Sequence, residues 1–116
     1  MQKTNPVLKK EIAKLEEAGR KEDARVYTKA AEELKKTDKN RTEVNISKIQ
    51  RHAEEGDTVL VPGKVLGAGR LNKEVKVAAF KFSKGARKAI SDVGDSMYIK
   101  DLIEENPEGK QVKIMK

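Results

Sequence analysis

The sequence predicts one compact domain of mixed α/β (α+β) class. A helical N-terminal segment, residues 1–56, leads into a small irregular β-β-α unit, residues 57–116. Three observations carry this expectation. The chain has 116 residues, enough to bury one modest core. Up to Glu55 the apolar residues recur at helical spacing. From Thr58 onward, short β-rich runs alternate with glycine, proline and further short helices.

The elements follow in order. Asn5-Pro6 reads as an N-cap followed by a proline suited to the first helical turn. Leu8, Ile12 and Leu15 then recur at helical spacing, and Gly19 stands where such a helix would stop. A second helix fits Glu22 to Lys36, with Val26, Tyr27, Ala30, Ala31 and Leu34 as its apolar stripe. Thr37 to Arg41 reads as a polar connection, and Asn45 to Glu55 as a third helix. The stripes are narrow, and Lys9, Lys10, Lys14, Arg20 and Lys21 cluster along the first helix and its end. The N-terminal helices are therefore expected to anchor the protein in an assembly, with residues 57–116 folding without them.

Beyond Gly56 the pattern changes. Thr58 to Val61 is a β-rich run that Pro62-Gly63 is expected to stop. Gly63, Gly67 and Gly69 make the stretch up to Leu71 an irregular loop able to approach a neighbour closely. Glu74 to Phe82 is a strand with apolar residues on both faces, hence one covered on both sides. Ser83 can N-cap a helix ending near Gly94. Short strands at Met97–Ile99 and Gln111–Met115 bracket a helix, Lys100 to Glu105, and the turn Asn106–Gly109.

Composition excludes several functions. There is no cysteine, so no disulfide, thiol nucleophile or thiolate metal site. His52 is the only histidine, and it borders the apolar stripe of the third helix, where a half-buried structural role is expected. No nucleophile-elbow pattern accompanies it. Enzymatic and metal-dependent readings therefore fail, and no cofactor is expected. Gly67 and Gly69 begin a dinucleotide fingerprint, but Asn72 stands where its third glycine belongs. Val65 follows Gly63-Lys64 where a Walker loop needs Ser or Thr. With those motifs broken, no small-molecule substrate is expected. No apolar run approaches the ~20 residues that span a bilayer, and no apolar leader of signal type is expected.

Charge points to a partner. Lys and Arg number 26 against 19 acids, a net charge of +7. The segment Pro62–Lys88 alone accounts for that excess. It holds Lys64, Arg70, Lys73, Lys76, Lys81, Lys84, Arg87 and Lys88 against the single acid Glu74. Such segregation is an electrostatic footprint for a polyanion. On a helix starting at Ser83, the apolar residues Ala86, Ala89, Ile90 and Val93 share one face, and Lys84, Arg87 and Lys88 share the other. Two Tyr, two Phe and no Trp leave little for stacking on single strands. Recognition of folded RNA by shape and backbone remains. The competing reading is a free-standing protein–protein adaptor using the mixed-charge helices, which has no need of the basic segment.

The run from Gly56-Asp57-Thr58 through Pro62-Gly63-Lys64 to Gly67-Ala68-Gly69-Arg70-Leu71 is unusual. It resembles the archaeal and eukaryotic large-subunit ribosomal protein L-eighteen-e family, related to bacterial ribosomal protein L-fifteen. Lys3-Thr4-Asn5-Pro6, Val77 to Ser83 and Asn106-Pro107-Glu108-Gly109 extend the likeness over essentially the whole chain, and the short length is similar to the archaeal form. The resemblance implies a non-enzymatic constituent of the large subunit in the cytoplasmic ribosome, partnered by large-subunit rRNA and neighbouring ribosomal proteins. It also implies a binding loop from Gly63 to Leu71, including Gly67 and Gly69, with Lys64 and Arg70 on phosphates. Charge geometry adds Lys73, Lys81, Lys84, Arg87 and Lys88 as candidate RNA contacts.

Overall fold

The apolar run at Thr58 does not stop at Pro62-Gly63. In the computed structural model, which describes residues 6–116, it continues as strand β2, Thr58–Leu66. The other strands are β1 (Thr42–Asn45), β3 (Lys76–Phe82), β4 (Asp95–Tyr98) and β5 (Val112–Ile114). Helices α1 (Pro6–Lys21), α2 (Arg25–Leu34), α3 (Ile46–His52), α4 (Lys84–Ser91) and α5 (Ile99–Glu105) surround them. The sheet runs β1-β2-β3-β4, with β5 also on β2, and every pairing is parallel. It is more regular than the irregular β-β-α unit the sequence predicts, within the same α/β class.

The proline is tolerated because of where it sits. Along one edge of β2, Thr58–Leu60 pair with β5 and Gly63–Leu66 pair with β1. Pro62 falls between these two partners. On the other edge the register with β3 shifts between Val61 and Lys64, a bulge at the same place. A strand interior rejects proline for want of an N–H, and a bulge removes that demand. Gly63 is fixed by crowding, since a Cβ there would lie 2.0 Å from the Thr42 carbonyl oxygen.

Each face of the sheet carries its own core. Val59, Val61, Val77 and Ala79 pack beneath Ile46 and Ile49 of α3 and Ala86 and Ile90 of α4. Leu60 and Ala78 pack beneath Leu15 of α1, Tyr27, Ala30 and Leu34 of α2, and Ile99 and Leu102 of α5. The result is three layers, with apolar residues on both strand faces as a parallel sheet requires. Tyr27 is fully buried and its hydroxyl donates to the Asn106 carbonyl. Burial pushes its pKa up to about 12.

The narrow stripes of the N-terminal helices are thus part of the core. Residues before Asp57 fill one layer with α1 and α2 and supply β1 and α3 to the other. Gly19 does not end the first helix. It lies within α1 against α2, where a Cβ would come 2.1 Å from Thr28 Oγ1. The chain turns instead at Asp23, whose φ is 51°. Thr42–Asn45 is a strand that the sequence reading leaves unassigned, α3 stops at His52, and β4 begins at Asp95 instead of Met97. Ser83 caps α4 as expected, its side chain accepting the Ala86 N–H at 3.1 Å. The cap assigned to Asn5 lies outside the described residues.

Three outcomes follow. Gly63→Ala should cost at least ~1–3 kcal/mol, because the new methyl must displace backbone of β1; denaturant melts against the parent measure it. A fragment beginning at Asp57 should fail to give a cooperative melt, since α4 alone would cover one face of its sheet and α5 alone the other. Asp57 closes a turn by accepting the Glu54 N–H at 2.7 Å and pairs with Lys113 at 2.9 Å. The Glu54 N–H and then the Lys113 ammonium hold its carboxyl below its ordinary value of 3.8. Its contribution is therefore complete above that ordinary value and is lost as pH falls through the lowered one. Asp57→Asn should remove that part of the acid dependence of the melting temperature.

Candidate nucleic-acid interface

A parallel sheet gathers the carboxyl ends of its strands along one edge, where α/β proteins commonly bind ligands. Most of the predicted site lies there. Lys64 and Lys81 are register partners near the ends of β2 and β3, and both are exposed. Gly67, Gly69 and Arg70 form the connection leaving β2. Lys84 and Arg87 occupy the start of α4, directly after β3, with Lys88 on its next turn. All six cations, Lys64, Arg70, Lys81, Lys84, Arg87 and Lys88, are exposed.

Their charge is not cancelled. Among the described residues the acids pair elsewhere: Glu16 with Lys35, Glu33 with Lys36 and Lys116, Asp57 with Lys113, Glu105 with Lys76 and Glu108 with Lys110. None of these ion pairs takes a cation from the sheet edge. The acid nearest in register is Glu43, opposite Lys64 in β1. The Lys64 and Lys81 ammonium groups stay available in a hollow of about 280 Å³, shared with Arg41 and Glu43.

Arg87 is pre-positioned. Its guanidinium lies 5.5 Å from the Tyr98 ring centroid and 6.0 Å from that of Phe82, and it donates to the Tyr98 hydroxyl. The rings themselves meet edge to face at 6.2 Å. This support orients the planar group while leaving most of its donors unused. Lys81 lies 5.6 Å from the Phe80 centroid. Tyr98, 39% exposed, is a surface aromatic that the reading of few stacking groups did not locate. Its place at the end of β4, just before α5, was the available signal.

Three predicted residues make contacts within the fold. Lys73 donates to the carbonyls of Gln50 and Ala53, at 2.7 and 2.8 Å, and so caps the carboxyl end of α3. Gly67 comes close to the protein's own backbone: a Cβ there would lie 2.9 Å from the Ala86 nitrogen at the start of α4. Gly69, at φ +109°, is pressed against Ser47 of α3, where a Cβ would come within 2.6 Å. Between them Ala68 accepts the Ser47 N–H at 3.0 Å. The glycine run thus fastens two helices to the sheet edge and sets Arg70 outside them. His52 is exposed at the end of α3, not half-buried. Among the described residues no group of three or more His, Cys, Asp or Glu could hold a metal, and no helix is long and apolar enough to cross a membrane.

Lys73→Met should lower stability by ~1 kcal/mol, the net worth of a hydrogen-bonded cap. Thermal melting of the two proteins measures it.

Comparison with known proteins adds to this geometry. The profile described as ribosomal proteins 50S-L15, 50S-L18e and 60S-L27a matches residues 10–97, well over half of the chain. A large ribosomal subunit protein eL18 of Methanococcus maripaludis is 49% identical over 97% of this chain and 94% of its own length. The eL18 protein of Haloarcula marismortui is 45% identical over the whole of both chains. That of Methanothermobacter thermautotrophicus is 45% identical over 97% of this chain and 94% of its own.

Proposed function

The chain belongs to the family of ribosomal proteins 50S-L15, 50S-L18e and 60S-L27a, and from that premise we propose how it serves the large subunit. It is a structural, non-enzymatic constituent of the cytoplasmic ribosome. It binds folded large-subunit rRNA along the carboxyl edge of its sheet and meets neighbouring ribosomal proteins there. The observation that carries this reading is the row of six exposed cations on that edge, none of them in an ion pair among the described residues.

The chemistry is phosphate neutralisation by a rigid surface. Each cation that meets a phosphate releases condensed counterions, and that release supplies sequence-independent affinity. Rigidity comes from the protein's own contacts. Lys64 and Lys81 extend from paired strands, Arg87 is held by two rings, and Arg70 follows a connection pinned through Ala68 and Gly69. A forked guanidinium suits bidentate phosphate contact, which an ammonium cannot copy. The adaptor reading, which rests on the mixed-charge faces of the N-terminal helices, gives the six cations of this edge no role.

The affinity for a large-subunit rRNA fragment should fall with salt at a log–log slope near −3, for about four engaged phosphates at ~0.7 each. A flat dependence would contradict the electrostatic account. Arg70→Ala should weaken that binding by about 1.5–3 kcal/mol, and Arg70→Lys should recover only part of it. Both variants should melt within ~0.5 kcal/mol of the parent, as exposed sites do. Filter binding beside thermal melting separates the two effects.

A further inference from the structure

A second hollow opens beside the basic edge, between α1 and the ends of β3 and β4. Val7, Glu11, Phe80, Lys81, Tyr98 and Lys100 line its volume of about 370 Å³. Two features mark it as built to hold something. Val7 and Tyr98, at 60% and 39% exposure, are the large exposed hydrophobic residues of the described chain, and both face it. Glu11 is only 8% exposed, and its Oε2 is buried without a hydrogen-bond partner. A buried acceptor left empty costs free energy until a donor reaches it.

The charges select among donors. Lys14 and Lys100 act on Glu11 against Asp101, and Lys81 stands on the same wall. A cationic side chain from another protein would enter a mostly cationic surround. A neutral donor edge joined to phosphates meets no such opposition. It can stack on Tyr98 or Phe80, donate to Glu11, and leave its phosphates to Lys81 and Lys100. Unpaired RNA bases are recognised in this way, by stacking on aromatic rings and hydrogen bonds to the Watson–Crick edge. Guanine is the base that offers two adjacent donors, N1–H and the 2-amino group, to one carboxylate.

We infer that this hollow receives an extruded guanine of the bound RNA, with Glu11 accepting from its Watson–Crick edge, Tyr98 stacking on it, and Lys81 and Lys100 holding its phosphates. The inference rests on the rRNA-binding reading and names one specific contact within it.

The test is titration of the isotope-labelled full chain with GMP, AMP and UMP, followed through backbone amides. GMP should shift Glu11, Lys81, Tyr98 and Lys100 together and bind about tenfold more tightly than AMP, the scale of one bidentate base contact. Glu11→Gln should abolish the preference for GMP, and Tyr98→Ala should weaken all three nucleotides. Equal binding of the three, shifts scattered over unrelated lysines, or a GMP preference that survives Glu11→Gln would overturn the inference. Tighter binding of an arginine-containing peptide at the same amides would also overturn it. Should Glu11→Gln fail to fold, the selectivity of the parent and the Tyr98→Ala titration still decide. The two readings fail separately. If only the guanine contact is wrong, the parent and Glu11→Gln keep the same salt-dependent affinity for the rRNA fragment. If the parent shows no such affinity, the rRNA reading itself is wrong.

Discussion

One strand must serve two partners on the same edge, and the rest of the molecule depends on how it does so. β2 gives its first residues to β5 and its last to β1, with Pro62 in the gap between them. That sharing sets the strand order, places the last strand of the chain beside β1 along one edge of β2, and requires Gly63 where β1 comes closest. With all strands parallel, every return crosses a face, so helices must cover both sides. The same directionality collects strand ends, and the cations that follow them, on one edge.

Charge placement complements that geometry. The chain is rich in acids, yet among the described residues their ion-pair partners lie away from the carboxyl edge: Lys76 at the opposite end of β3, Lys113 on β5, and Lys35, Lys36 and Lys116 near α2. Surface ion pairs of this kind contribute little stability. Their effect is to silence positive charge elsewhere, so that the field of a modestly basic protein is concentrated where phosphate is to be met.

Residues with a local physical rule were legible in the sequence. The Ser83 cap, the doubly apolar strand ending at Phe82 and the cationic face of α4 follow from short-range chemistry, and the structure shows them in place. Thr42–Asn45 was not legible, because only Val44 of its four residues is buried and its strand character comes from pairing with β2. The glycine run announced a close approach without revealing to what, and the answer is Ser47 and the start of α4. Lys73 shows the same limit: a positive charge in a basic segment carries no mark of its destination, here the carbonyls ending α3. Glu11 carries no local mark in a helix rich in charge, and only the packing of α1 shuts it away from water.

The buried hydroxyl of Tyr27 has an optical consequence. A phenol whose ionisation is pushed up to about 12 stays colourless in the near ultraviolet over alkaline conditions that ionise an ordinary tyrosine, whose value is 10.0. Unfolding returns Tyr27 to that ordinary value, so between the two the unfolded chain gains a proton release the native protein lacks, and stability drains away as pH rises. Phenolate absorbance from Tyr27 in that interval therefore reports how often the layer of α1, α2 and α5 lifts from the sheet, without any added label.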